Sequence, residues 1–347
     1  SKLPTMGAGT RFRPLDTLVS NIRPYLKKVW VADKEGGASN DVIVIRAKHR
    51  LLPQYFSFLL KNDAFIDYVM TGAKGVKMPR GDIGSMKAYP ALYPTKPEQQ
   101  KIADCLASLD ERITLEAQKL DTLKTHKKGL MQQLFPRGGE NVPRLRFPEF
   151  RDAGEWEVKQ LSSLATPITR KNKNNSNSNV LTLSSENGLV HQTEYFGRKI
   201  ASKNTERYII LKLNDFVYND RTTKASVYGT IKRLSLYQNG IVSPIYKCFR
   251  FHEQQNPVFW EYYFESGFHE VQLHSLVNEG ARTGRYNISI KNFLSISVWQ
   301  PSSAEQQKIA DCLTALDELI TAQADKIETL DAHKKGLMQQ LFPVLDK

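Results

Sequence analysis

The chain has 347 residues, 40% hydrophobic, 10% aromatic and 24% charged, which excludes a disordered tail and leaves room for about two or three domains of roughly 100–200 residues. Its formal charge of +13, from 49 Lys and Arg against 36 Asp and Glu, favours a polyanionic partner. Three cysteines (Cys105, Cys248 and Cys312) with no CxxC pair exclude a disulfide framework and a cysteine zinc site, and no apolar run of about 18 residues or signal-peptide leader is read.

In chain order, residues 1–94 read as part of a mixed domain and residues 95–136 as a long helix. Within it, Glu98–Pro136 recurs without a gap at Glu305–Pro343, with 29 of 39 positions identical. Apolar residues at Ile102, Leu106, Leu109, Ile113, Leu120, Leu123, Leu130 and Leu134 alternate in steps of four and three. The second copy matches with Ile309, Leu313, Leu316, Ile320, Ile327, Leu330, Leu337 and Leu341. This is the seam of a left-handed coiled coil, and an antiparallel pairing of the two helices brings Glu116 near Gln323, where polar residues interrupt it. Lys127 and Lys334 interrupt it too. Each helix opens on a capping-box pattern, Thr95-x-x-Glu98 and Ser302-x-x-Glu305, and closes at Pro136 or Pro343.

Residues 137–148 (RGGENVPRLRFP) read as a linker. Residues 149–301 carry short β-branched and aromatic runs (Val180–Leu183, Tyr208–Leu213, Ser243–Phe251) and a more helical stretch over 257–273, which predicts an α/β domain of about 150 residues. The tract 171–179 (KNKNNSNSN) reads as a solvated loop. Residues 302–347 hold the second long helix. Val19, Asn21 and Arg23 resemble Val217, Asn219 and Arg221, Pro53–Phe58 resembles Pro257–Tyr262, and Gly72–Lys74 resembles Gly280–Arg282. Residues 16–94 therefore look like the second half of the domain that residues 149–301 present whole.

Charge separates these parts. The helical segments carry +1 and −3, so the globular parts carry +15. Their basic residues form clusters with aromatic and amide neighbours: Arg23, Tyr25, Lys27 and Lys28; Lys74, Lys77 and Arg80; Arg170, Lys171 and Lys173; Arg221 and Lys224; Arg282, Arg285, Tyr286 and Asn287. Lys and Arg bind phosphates, whereas Arg, Asn and Gln also read base edges, so these are the candidate nucleic-acid-binding residues. Any one of them alone reads as an ordinary surface residue; the clusters carry the expectation. No phosphate loop, HExxH or GxSxG pattern occurs, and no metal or catalytic residue is assigned. Asn256-Pro257-Val258-Phe259 approaches the Asn-Pro-Pro-Tyr/Phe loop of amino-methyltransferases, with Val in place of a proline.

The basic α/β domain followed by a helix reading EQQKIADCL…HKKGLMQQLFP, twice, resembles the specificity subunit of type I restriction-modification systems. The resemblance covers nearly the whole chain. It implies an α+β fold in which two mixed α/β target recognition domains are separated by two long helices, packed as an antiparallel coiled coil in a pseudo-twofold repeat. The expected segments are a first recognition domain over 1–94 (C-terminal part only), helices over 95–136 and 302–347, and a second domain over 149–301. By comparison with the second copy, a full member carries roughly another 70–100 residues before Arg11.

The resemblance further implies a non-catalytic subunit that binds a bipartite site on double-stranded DNA. It would scaffold two methyltransferase subunits and the motor-nuclease subunits, in the cytoplasm of a bacterium or archaeon and with no membrane partner. S-adenosylmethionine, ATP and Mg would belong to the partner subunits, with no cofactor in this chain. The competing expectation is a coiled-coil interaction scaffold whose basic domains bind nucleic acid nonspecifically. A third, methyl transfer, would need Asn256.

Overall fold

The computed structural model describes residues 9–73, 75, 78–198, 204–222, 227–276 and 286–342. The chain divides into two compact units: residues up to Asp121 with those from Thr321 onward, and Thr122–Ile320. Among the described residues no helix is long and apolar enough to cross a membrane.

The first unit begins with five short strands: β1 (Thr10–Phe12), β2 (Thr17–Ser20), β3 (Val29–Val31), β4 (Gly36–Ala38) and β5 (Val42–Ile45). They form an antiparallel sheet in the order β3-β2-β5 and a β1-β4 pair. Three helices follow: α1 (Pro53–Lys61), α2 (Asp63–Thr71) and α3 (Ile83–Ala88), ahead of the long α4 (Lys96–Leu134). Tyr55, Phe58 and Leu59 of α1 pack on Val19 of β2, on Ile102 and Leu106 of α4, and on Phe342. Removing such side chains from water at about 25 cal/mol per Å² is what holds the short strands to the helix.

The second unit contains β6 (Glu157–Gln160), β7 (Ala165–Pro167), β8 (Leu181–Ser184), β9 (Gly188–His191), α5 (Gln192–Phe196), β10 (Ile209–Lys212), β11 (Phe216–Asn219) and β12 (Thr230–Arg233). It continues with β13 (Asn239–Val242), β14 (Lys247–Phe251), α6 (Pro257–Glu265), α7 (Glu270–Ser275), α8 (Ile290–Leu294), β15 (Ser297–Gln300) and the long α9 (Ser303–Leu341). The main sheet runs β12-β11-β14-β7, all antiparallel, and β10-β13, β8-β9 and β15-β6 pair separately. Phe216, Tyr218 and Phe249 of the sheet meet Phe259, Trp260 and Tyr263 of α6 in one aromatic core. Leu134 and Phe135 at the end of α4 join it, with Ile309 and Leu313 of α9.

Both long helices thus serve both units, and within each they run antiparallel. In the first unit Lys334 of α9 pairs with Asp110 of α4, and Gln323 donates to the Glu116 carboxylate at 2.8 Å and to its carbonyl at 3.0 Å. In the second, Lys127 of α4 pairs with Asp317 of α9 at 2.8 Å. All the seam residues are buried or half-buried, while the off-seam Leu115 and Leu319 are each 58% exposed.

The capping boxes form only in part. The Ser302 hydroxyl accepts from Glu305 N at 3.3 Å, but the Glu305 side chain turns away to a buried fork with Arg146, at 2.7 and 2.8 Å. A fork to guanidinium is a stronger carboxylate interaction than one backbone amide, so Arg146 wins it. Residues 137–148 are tied to the rest of the second unit. Leu145 N donates to Gln133 O at 3.0 Å and Trp156 N to Asn141 O at 2.8 Å, which seats the segment on the second unit.

The two units repeat one another more deeply than the helices alone. Leu15 and Asn214 both have left-handed backbones, at φ 70° and 72°. The next residue in each unit, Asp16 or Asp215, is buried and accepts a two-pronged bond from Arg46 (both 2.6 Å) or Arg250 (2.6 and 2.8 Å). Hydrogen bonding to that guanidinium holds the Asp16 carboxyl below its ordinary range. This fixes the offset between the copies at 199 residues here, one residue away from the alignment of Val19 with Val217 expected from side-chain identity.

Candidate nucleic-acid interface

In each unit some of the candidate residues gather where an inner strand of the sheet ends. In the first, β2 leads into Asn21–Arg23, which pairs antiparallel with the segment around Arg80. Arg23 N donates to Pro79 O at 2.8 Å and Gly81 N to Asn21 O at 3.1 Å. Two clusters far apart in sequence are thereby joined. Arg23 and Lys27 both hold left-handed backbones (φ 51°) around a tight turn at Pro24–Leu26, which leaves Tyr25 and Lys28 exposed. Gly81 permits the close approach, since a Cβ there would lie 2.8 Å from Val69 and from Met86, and 3.1 Å from Pro24. Beside the junction lies a cavity of about 710 Å³ reached by Asn21, Met78 and Arg80.

Not every cation here is unengaged. Lys27 pairs with Asp63, and Arg80 with Asp41 at 2.8 Å on an exposed surface. Such exposed pairs are worth roughly 0–1 kcal/mol, little enough for a phosphate to displace the carboxylate. Lys74 and Lys77 lie outside the described residues.

In the second unit the corresponding strand, β11, ends beside Arg221, which is exposed. Tyr286 N donates to Asp220 O at 3.2 Å, so the segment carrying Tyr286 and Asn287 returns to the same strand end. Asp220 is itself buried and paired with Lys247 at 2.5 Å. The Tyr286 ring stacks on Tyr228, centroids 6.0 Å apart, and Asn287 is exposed with φ 52°. Gly229 sits so close to this strand end that a Cβ would fall 2.3 Å from Asn219 O. Lys224, Arg282 and Arg285 lie outside the described residues.

Arg170, Lys171 and Lys173 occupy a different edge. Ile210 N donates to Arg170 O and Asn172 N to Tyr208 O, both at 2.9 Å, so this segment runs along β10. The tract that follows is an exposed loop, as its composition predicts, and its own side chains brace it. Buried Asn172 donates to Asn177 O and Thr205 Oγ1 and accepts from Ser176 and Asn177 N. Asn175 accepts twice from Thr205, and Asn177 and Asn179 both reach Asn239 at 2.7 Å. These bonds hold Asn174 at the tip, exposed, with φ 58° and ψ 23°. Lys171 and Lys173 flank it and are exposed. Asn174 escapes a reading by charge, and its signal is a left-handed position within an otherwise internally bonded tract.

A second set of residues missed by charge binds each domain to the helices. Buried Gln99 accepts from Leu52 N at 2.9 Å and donates to Arg50 O and Pro94 O. Its repeat mate Gln306 accepts from Asn256 N at 2.9 Å and donates to Pro301 O. Lys127 lies 5.0 Å over the Tyr262 ring and Lys334 5.7 Å over the Phe58 ring. Phe135 meets Phe259 at 5.6 Å and Phe342 meets Tyr55 at 5.2 Å. Identity across the repeat is the signal that finds them. Asn256 caps α6: its side-chain Oδ1 accepts from Val258 N and Phe259 N, and its side-chain Nδ2 donates to Gln307 Oε1 at 2.8 Å.

A family model described as the type I restriction modification DNA specificity domain matches residues 15–125 and 153–332. The type I restriction enzyme MjaVIII specificity subunit of Methanocaldococcus jannaschii is 23% identical over 332 residues, covering 89% of this chain and 74% of that protein. Among solved structures, a chain from work on complex assembly and conformational transition of the type I R-M system superposes with a TM-score of 0.57 at 16% identity, covering 98% of this chain and 84% of that one. The type I restriction-modification S subunit from M. genitalium superposes with a TM-score of 0.52 at 13% identity, covering 96% and 84%. These structural likenesses speak to the fold.

Proposed function

Because this chain belongs to the family of type I restriction-modification DNA specificity proteins, we propose that it reads a bipartite site on double-stranded DNA, each unit contacting one half. The observation that carries this reading is the shared placement of cations beside aromatic and amide groups at the end of an inner strand, Arg23 with Tyr25 and Arg80 in one unit and Arg221 with Tyr286 and Asn287 in the other. Arg23, Lys28, Arg80, Arg170, Lys171, Lys173 and Arg221 would neutralise phosphates, which gives affinity without sequence. Tyr25, Tyr286 and Asn287 would lie against base edges or sugars, where discrimination arises. Lys74, Lys77, Lys224, Arg282 and Arg285 belong to the same proposed surface by their place in the sequence.

The two long helices would set the spacer between the half-sites and carry two methyltransferase subunits, with motor-nuclease subunits joining them. S-adenosylmethionine, ATP and Mg, and the chemistry they supply, would lie in those partners. The test is selection of a randomised duplex library by this chain together with its methyltransferase. Two short fixed motifs separated by an unread spacer are expected. Salt-sensitive binding with no enriched sequence would favour a nonspecific nucleic-acid scaffold and overturn the reading. Methylation by this chain alone would overturn its non-catalytic role.

A further inference from the structure

Within the repeat, the ten positions that differ between the copies all lie in residues 107–125, whereas 126–136 and 333–343 are identical throughout. Packing explains part of that identity, since Met131, Leu134 and Phe135 are buried in the second unit and Phe342 in the first. It does not explain Lys128 and Gln132, or their mates Lys335 and Gln339, which are exposed and have no hydrogen-bond or ion-pair partner among the described residues. Nor does it explain Gly129 and Gly336. Glycine is among the poorest helix formers, and a Cβ added at either position would meet nothing within 4 Å. Nothing among the described residues needs a glycine there; close approach of another backbone does.

Beside each glycine lies a cleft. In the second unit it measures about 500 Å³, between Lys127, Lys128, Met131 and Gln132 of α4 and Glu265 and Ser266 at the end of α6. In the first it measures about 270 Å³, between Lys334, Lys335, Met338 and Gln339 of α9 and Lys61 and Asn62 at the end of α1. The four helix positions are the same in both. At about 3.6 residues per turn, Lys128, Gly129 and Gln132 lie within about 100° of arc on one helix face. The first lysine of each pair is committed, Lys127 to Asp317 at 2.8 Å and Glu265 at 3.3 Å, and Lys334 to Asp110. The second is a spare cation next to a free glutamine amide and a methionine. Positive charge is in surplus, with three lysines against two carboxylates lining the cleft of the second unit and four against two in the first. Ammonium and amide donors together suit a carboxylate. The two helical segments carry −2 between them, which disfavours a DNA backbone and favours an acidic protein segment as the occupant.

We propose that each cleft, with the glycine face beside it, receives an acidic segment of the same partner, so that the chain holds two copies of that partner by equivalent contacts. A carboxylate of the segment would meet Lys128 and Gln132 in one copy of the repeat and Lys335 and Gln339 in the other, while its backbone lies against Gly129 or Gly336. This inference rests on the proposed reading that two methyltransferase subunits dock on the long helices, and it assigns their acidic contact to these two places.

The test is calorimetric titration of the whole chain with its methyltransferase, in the absence of DNA. Two sites are expected for the unsubstituted chain. Gly129→Leu with Gly336→Leu fills both open faces with a better helix former, so the free chain should melt no lower while affinity falls at least tenfold. Either substitution alone should leave one strong site. Lys128→Glu with Lys335→Glu, at exposed positions, should also weaken binding at least tenfold, with the difference shrinking as salt rises. Unchanged affinity in either double variant overturns this inference and leaves the docking reading standing. No binding by the unsubstituted chain overturns that reading and the inference with it. Variants that lose DNA affinity but keep methyltransferase affinity assign the clefts to phosphates, which overturns the inference as well.

Discussion

At the residue scale, Asn174 and Asn172 separate contact from support. Asn174→Ala removes an exposed amide and leaves the bonded tract beneath it intact. On the proposed DNA reading, it is expected to relax discrimination at one base pair by about 1–3 kcal/mol while nonspecific affinity stays within twofold. Asn172→Ala strips four bonds from the buried support and should weaken binding to all sequences together with thermal stability. Competition binding against single-base variants of the selected site, with melting curves, distinguishes the two.

His269 makes a prediction in pH. It is buried against Phe264, its Nδ1 has no hydrogen-bond partner among the described residues, and desolvation lowers its pKa to about 3. The unfolded chain takes up this proton near pH 6.5 and the folded chain does not, so stability is full above that value and declines as pH falls toward 3. Between pH 7.5 and pH 5 the loss from this group is about 2 kcal/mol. His269→Gln should flatten that part of the melting-temperature profile, whatever its effect at pH 7.5. An unchanged slope would remove the assignment.

At the element scale, the long helices are stabilised along the seam and little elsewhere. Leu106→Ala and Leu313→Ala, at fully buried positions, should each cost about 2–5 kcal/mol. Leu115→Ala and Leu319→Ala, at exposed ones, should stay within about 0.5 kcal/mol; denaturant titration gives all four. The two helices are legible in the sequence because a seven-residue apolar period is a local signal repeated many times. Gln99 and Gln306 are marked by their identity across the repeat, but their role is not legible, since a glutamine on a helix reads as solvated until the turn that offers it a backbone amide is known. The bracing of the tract 171–179 is hidden for the same reason. Its partners Thr205 and Asn239 are distant in sequence, so composition announces the solvated loop but not the long-range bonds that hold it. Arg23 and Arg80 likewise read as separate clusters, and only the pairing of Ile22 with Arg80 joins them. The first unit is legible as part of a repeated domain, but its register is not, because Leu15 and Asn214 share a backbone conformation and no chemistry.

At the scale of the whole molecule, the proposed spacer role has a geometric test. A heptad inserted into both α4 and α9 keeps every seam residue on its face and adds about 10 Å to each helix. At about 3.4 Å per base pair, the unread segment of the methylated motif should widen by about three base pairs while both half-sites keep their sequence. Sequencing of modified bases in a host expressing the variant with its methyltransferase provides the readout. An unchanged spacer would separate the helices from that role.

The glutamine, lysine and phenylalanine contacts that seat each domain on the helices come from residues identical in the two copies: Gln99 and Gln306, Lys127 and Lys334 over the Tyr262 and Phe58 rings, Phe135 and Phe342. The two sockets therefore share these residues. Genetic exchange within the shared 39-residue stretch would replace one domain as a cassette and leave its seating residues intact. On the proposed reading, what the molecule recognises would change with the domain, while these joints stay the same.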